Sequence, residues 1–283
     1  MTPRAKGLFA FLLLAFGLAW GGMFTAVLVF DLSLVNPVVQ LASVALTPAV
    51  AAFIVRKWVT KEGFADAGLR LRLRENLGLY LVAWLGPLVF AAVALGLAVA
   101  LGLWRFDPAA FALVPGMPLW ASIGLLMAAV VVLTPAYWGE EFGWTSYLRL
   151  RLVPERPVLS TLLTGFIWAV WHYPLAFLGY LVFDNVLLGL AVWTASMMFQ
   201  EIILSWLRLR SGSVWTASLA HAGNNMVLFL LIGAAFGDDR QNTGTLLGTV
   251  PMVAVALWII LSGRLASELP ERERSPERGT VPV

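Results

Sequence analysis

The chain has 283 residues, of which 60% are hydrophobic and 12% are charged, and its formal net charge is +3. A composition this apolar excludes an ordinary soluble globular protein and indicates a chain with much of its surface in lipid. Cysteine is absent, which excludes disulfides, thiolate metal sites and a cysteine nucleophile.

Eight apolar stretches are long enough to cross a bilayer, which takes roughly 20 residues in a helix. The first follows Lys6 and is too long for a cleaved signal peptide, so we predict that it is retained. The predicted spans are residues 7–30, 36–55, 77–103, 119–147, 157–180, 186–207, 212–236 and 244–263. The predicted fold class is therefore all-α, a polytopic membrane protein of about eight transmembrane helices.

Lysine and arginine residues lie almost entirely on one side of these predicted spans. Seventeen of them fall on the side of the N-terminus, and only Arg105 and Arg240 fall on the other side. The positive-inside rule then predicts a multi-pass protein of the cell membrane with both termini in the cytoplasm. Because the basic residues follow this topology, we expect the lipid bilayer as a partner and no nucleic acid.

Two adjacent carboxylates, Glu140 and Glu141, follow an uncharged run near the end of the fourth predicted span. A charge at membrane depth is expensive and persists mainly where it faces a polar cavity or a partner. Two neighbouring carboxylates do not both ionise easily, so a water or a proton between them is a natural expectation. The pair therefore predicts a polar intramembrane cavity.

The partners for this pair are few, since the chain has only two histidines. Trp168 and His172 share a face of the fifth span, and His221 and Asn225 share a face of the seventh, because residues four apart meet on one side of a helix. Thr145 lies one turn after Glu141, within reach of its carboxylate.

These groups suit amide hydrolysis, although a lone membrane histidine often only joins helices. A carboxylate can take a proton from water, and imidazole or carboxamide N–H groups can stabilise an oxyanion. One glutamate and two histidines could instead hold a zinc ion with an open position. Gln200 and Glu201 in the sixth span could line the same cavity, but we expect them at the cytoplasmic interface.

The three motifs resemble those of the CAAX prenyl protease type II group, also called the CPBP or Abi family of intramembrane proteases. That family pattern is Glu-Glu-x-x-x-Arg, Phe-x-x-x-His and His-x-x-x-Asn, and the resemblance covers about residues 120–235. Thr145 replaces the motif arginine here, and Trp168 replaces the motif phenylalanine. Arg149, one turn beyond Thr145, could reach back toward the glutamates.

The resemblance implies a role for each matched residue and no cofactor, with zinc as an older alternative. Glu140 would activate water with help from Glu141, His172 and Asn225 would stabilise the oxyanion, and His221 would position water or substrate. Trp168 and Thr145 would contact the substrate.

The resemblance and the hydropathy pattern together divide the chain into three regions. Residues 1–118 hold helices one to three with their loops, residues 119–263 form the catalytic helical core, and residues 264–283 are expected to be a disordered cytoplasmic tail.

The leading hypothesis is an intramembrane endopeptidase that hydrolyses a peptide or membrane-protein substrate, prenylated or not, near the cytoplasmic face. One alternative is a non-catalytic scaffold or bacteriocin-immunity protein of the same fold, which the change at Thr145 favours. A proton-coupled transporter using Glu140 and Glu141 is the other, although no inverted repeat is visible.

Overall fold

The computed structural model describes residues 1–265, and within them the chain is all-helical with no strand. Eight of its helices are long and apolar enough to cross a membrane. They are α1 (Pro3–Leu28), α2 (Pro37–Val59), α3 (Leu77–Ala100), α4 (Leu119–Leu152), α5 (Pro157–Phe177), α6 (Val186–Ser211), α7 (Val214–Phe236) and α8 (Asp238–Leu261). The predicted fold class and helix count are confirmed.

The helix ends differ from the predicted ones by a few residues. The fourth helix continues through its charged end to Leu152 rather than stopping at 147, and the eighth begins at Asp238 rather than at 244. A short helical turn at Pro108–Phe111 occupies the loop between α3 and α4. The predicted tail lies outside the described residues from 266 onward.

The helices form one bundle whose outer surface is apolar. Helices α5 and α7 are the most enclosed, whereas α1, α3 and α4 leave most of their length uncovered. A continuous apolar surface of this size fits lipid rather than water. Large side chains on it include Leu13, Leu81, Val89, Val132 and Leu257.

Successive helices run in opposite directions, so the segments that connect them lie alternately at two ends of the bundle. The basic end contains the N-terminus, residues 262–265, the loop 60–76 and the short connections 153–156 and 212–213. The far end contains loops 29–36, 101–118 and 178–185. Contacts across the basic end agree with this: Arg4 pairs with Glu155 at 2.9 Å, and the Arg149 guanidinium donates to the Leu265 carbonyl at 3.2 Å.

Glycines let the helices approach closely where the glutamates lie. A Cβ atom at Gly139 would lie 2.1 Å from the carbonyl oxygen of Ala45 on α2, and one at Gly143 would lie 2.4 Å from Pro48. Small residues at helix contacts allow this backbone approach in membrane proteins. The contact fixes α4 against α2 on both sides of Glu140 and Glu141.

Candidate active site

Glu140 lies beside two residues of α5, of which one donates a hydrogen bond to it. The Trp168 indole donates a hydrogen bond of 2.8 Å to Oε2 of Glu140, and Nε2 of His172 lies 3.8 Å from the same oxygen. The carboxylate is 3% exposed, and Glu140 and His172 both line an internal cavity. The structure therefore brings together the first and second predicted motifs.

The His172 ring is fixed by its own helix. Its Nδ1 lies 2.9 Å from the backbone carbonyl of Trp168, and because a carbonyl only accepts, Nδ1 carries the proton. In the neutral ring Nε2 then presents a lone pair toward Glu140. In this form the Nε2 of His172 and the Glu140 carboxylate are both acceptors, so His172 cannot donate a hydrogen bond from Nε2.

Glu141 pairs with the other histidine. Its Oε1 lies 2.9 Å from Nδ1 of His221, whereas its Oε2 is buried without a hydrogen-bond partner. The His221 ring lies against the rings of Tyr137 and Trp168, with centroids 4.8 and 5.0 Å away. A carboxylate on one ring nitrogen sets the orientation of the imidazole and leaves the other nitrogen for the cavity.

The cavity contains hydrogen-bonding groups that sequence reasoning missed. Asn225 lines it as predicted, and its side chain faces the hydroxyl of Tyr137, which lies one turn before the glutamates. Asn224 lines it too, and its Oδ1 is buried without a partner. The sequence signal for Tyr137 was its helical spacing from Glu140 and Glu141, which places its hydroxyl on the same side of α4.

Trp168 and Thr145, which the resemblance assigned to substrate contact, lie behind the cavity wall rather than on it. Both are fully buried, and neither lines the cavity. The Thr145 hydroxyl donates to the backbone carbonyl of Glu141 at 2.8 Å, and the following turn, Trp144–Leu148, is π-helical. These contacts position the glutamates, and direct contact of either residue with substrate stays an untested prediction.

Arg149 does not take the place of the motif arginine. Its guanidinium donates to Thr161 Oγ1 at 3.1 Å and to the Leu265 carbonyl, toward the basic end. Of the two positions open to Arg149, a reach back to the glutamates or a place facing the headgroups, the structure does not show the first, since these contacts direct it toward the basic end.

The expectation that Gln200 and Glu201 lie at the membrane interface is also wrong. Gln200 lines the cavity, and Glu201 is fully buried and interacts electrostatically with Glu141. Glu201 Oε1 accepts from Ser205 at 2.7 Å, but its Oε2 has no hydrogen-bond partner. Close packing of α6 on Gly165 of α5 brings this third carboxylate behind the site.

The cavity has a volume of about 680 Å³ and runs between six helices, α2 and α4 to α8. Its wall is mostly apolar, with Gln40, Tyr180 and Gln241 at the far end and a larger set of polar residues around Glu140. That larger set includes Glu140, His172, His221, Asn224, Asn225, Gln200 and Tyr137. A mainly apolar cleft with a few convergent polar groups is the usual form of a substrate site.

A metal site was the alternative use of these residues. Within residues 1–265, no group of three His, Asp or Glu side chains is arranged to hold a metal ion. Each histidine uses Nδ1 for a protein contact and so offers one nitrogen to the cavity.

One family model matches the part of the chain that contains these residues. No curated protein matches the chain. The family model of Rce1-like type II CAAX prenyl endopeptidases matches residues 118–227, the stretch that runs from the start of α4 through Asn225. The chain is thus a helical protein with eight helices that could cross a membrane, and its residues 118–227 are similar to the Rce1-like type II CAAX prenyl endopeptidases.

Proposed function

We propose that this chain is an intramembrane endopeptidase in which Glu140 activates the attacking water. The observation that carries the proposal is the 3.8 Å gap between Oε2 of Glu140 and Nε2 of His172, on the wall of the cavity. A water in this gap has both hydrogens directed to acceptors, which leaves a lone pair free for a carbonyl carbon.

The reaction proceeds by addition and then elimination. Glu140 takes a proton as the water oxygen bonds to the carbonyl carbon, and the carbonyl oxygen becomes an oxyanion. The carbon–nitrogen bond then breaks, and Glu140 returns its proton to the leaving amine. One residue thus serves as general base and then as general acid.

Donors for the oxyanion come from α7 and α4. The Asn225 carboxamide has N–H groups, and the Tyr137 hydroxyl beside it holds or supplements them. His221 donates its Nδ1–H to Glu141, so in the neutral ring its second nitrogen is an acceptor that positions water or substrate rather than the oxyanion. Donors fixed before the reaction in a site that excludes water stabilise developing charge strongly, and one such donor contributes about 3–4 kcal/mol in a protease.

The test is turnover of quenched fluorescent peptides with an apolar segment, in liposomes containing the purified protein. Glu140→Gln keeps the size and the Trp168 contact but removes the base, so cleavage should be abolished while folding is kept. Glu141→Gln should weaken turnover less. Glu155→Gln is the matched control, because that carboxylate is exposed at the basic end. Equal turnover by the wild type and Glu140→Gln would exclude the glutamate mechanism.

Zinc chemistry and a non-catalytic role are separated by two further readouts. One zinc per chain, lost with activity on chelation, would favour metal-activated water. The replacement of the motif arginine by Thr145 favours the scaffold or immunity role, which predicts that no peptide is cleaved by the wild type. We also propose a cytoplasmic position for both termini, supported by the charge asymmetry of the loops.

A further inference from the structure

The cavity that contains Glu140 extends toward one end of the bundle only. Its wall includes Pro37 and Gln40 at the start of α2, Tyr180 and Leu181 in the loop after α5, and Gln241 near the start of α8. All of these residues lie at the far end. No residue of the loops 60–76, 153–156 or 212–213 lines it.

The basic end is closed beneath the glutamates by packed aromatic rings. Trp138 stacks on Phe142 and on Trp215, with centroids 5.1 and 6.1 Å away, and Phe64 of the loop 60–76 stacks on Phe142 at 6.2 Å. The guanidinium of Arg56 lies 5.8 Å from the Phe142 ring. The stack therefore fills the space between the glutamates and that loop.

Ion pairs fasten the loop 60–76 over this stack. Arg56 is fully buried and contacts Asp66 at 2.6 Å, and Arg151 contacts the other oxygen of Asp66 at 2.8 Å. Arg56 also donates to the Ser146 carbonyl at 2.6 Å, and Arg208 donates to the Ser146 hydroxyl at 2.8 Å. These contacts tie the loop to α2 and α4, and α4 to α6, and within residues 1–265 the lining of the cavity does not reach the basic end.

The rim of the cavity also includes side chains on the lipid surface. Leu41, Leu133 and Leu230 belong to α2, α4 and α7, line the cavity, and are 45%, 38% and 44% exposed. A site whose rim is open to hydrocarbon can receive a segment that is already in the membrane.

The charges decide which side of the membrane the far end faces. Of the Lys and Arg residues in the described part of the chain, only Arg105 and Arg240 lie at the far end. The positive-inside rule puts the basic end in the cytoplasm and the far end outside. The sequence-based expectation of cleavage near the cytoplasmic face does not fit a cavity with this direction.

We infer that the substrate reaches Glu140 from the outer half of the membrane. Given the proposed endopeptidase function, on which this inference rests, the substrate class is a protein segment that lies in or against the outer leaflet. Exported or membrane-anchored proteins present such segments, whereas a chain confined to the cytoplasm does not. The stacked rings under Phe142 and the Asp66 ion pairs keep the cytoplasmic side shut.

The experiment uses the natural absence of cysteine. Single-cysteine variants of the full chain are exposed, in intact cells and in inside-out vesicles, to a small thiol reagent that does not cross membranes. Ser196→Cys and Thr245→Cys report on the cavity wall. Arg105→Cys marks the far end and Arg70→Cys marks the basic end, and both positions are exposed.

We expect the reagent to modify Ser196→Cys, Thr245→Cys and Arg105→Cys in intact cells, and Arg70→Cys only in inside-out vesicles. Modification of the two cavity positions from the same side as Arg70→Cys would overturn the inference. Modification of neither from either side, with full modification after denaturation, would also overturn it. Two cavity variants are used in case one does not fold.

Labelling does not depend on peptide cleavage, so it separates this inference from the proposed function. The same pattern in a Glu140→Gln background would show an outward cavity whether or not the chain is a protease. Cleavage without outward labelling would keep the endopeptidase and reject its direction.

Discussion

The substitution Trp168→Phe tests whether the indole N–H positions the catalytic carboxylate. It removes the 2.8 Å hydrogen bond to Oε2 of Glu140 and keeps an aromatic ring in a fully buried place. Phenylalanine is also the residue of the family motif at this position, so the change tests the contribution of the indole N–H that the motif residue lacks.

The expected magnitude follows from the charge on the acceptor. A hydrogen bond to a charged group contributes about 1.5–3 kcal/mol, and the loss of that amount from the transition state lowers turnover about 10- to 150-fold. The loss should appear mainly in kcat, because the indole does not line the cavity and so does not bind substrate directly.

Trp171→Phe is the matched control. Trp171 lies three residues further along α5, is also fully buried, and donates a 3.0 Å hydrogen bond to the Ala15 carbonyl rather than to Glu140. Both variants lose ring volume and leave a buried acceptor, which costs about 1–3 kcal/mol of stability. If the two variants lose stability alike and Trp168→Phe still turns over as the wild type, the positioning role of Trp168 is wrong.

Three other changes probe the surroundings of the site. Thr145→Arg restores the motif cation in a fully packed place, so we expect a lower folded yield than for Thr145→Val, and a normal yield with raised turnover would contradict this. Glu201→Gln keeps the Ser205 contact and removes a titratable group near Glu141, so the pH dependence of turnover should change without loss of thermal stability. An unchanged profile would disprove the coupling. Burial alone would raise the pKa of Asp66, but its arginine partners hold that pKa below the ordinary value. The ion pairs of Asp66 with Arg56 and Arg151 therefore contribute their full stability above about pH 4, and this stability is lost as the pH falls through the lower folded-state pKa of Asp66. Proteolysis of the loop 60–76 should become faster in that pH range. In Asp66→Asn the rate of proteolysis should change less with pH.

The sequence determined the spans, the fold class and the residues of the three motifs. A run of about 20 apolar residues in a bilayer is expected to form a helix, because a helix makes all of its backbone hydrogen bonds within its own segment. Charges are rare in these runs, so Glu140, Glu141, His172 and His221 were identifiable as site residues before any coordinates. Their spacing on α4, α5 and α7 was enough to predict a common pocket.

Only the tertiary structure decided which atoms meet and which way the site opens. Helical spacing does not say how a helix is rotated about its axis or how closely it packs on its neighbours. For α4, the contact of Gly139 with α2 sets the rotation and the distance. That packing places Glu201 behind Glu141, turns Arg149 away and fixes the tautomer of His172 through a backbone carbonyl. The direction of the cavity depends on aromatic rings from α4, α7 and the loop 60–76 meeting at the basic end, and residues so far apart in the chain come into contact only after the bundle has formed.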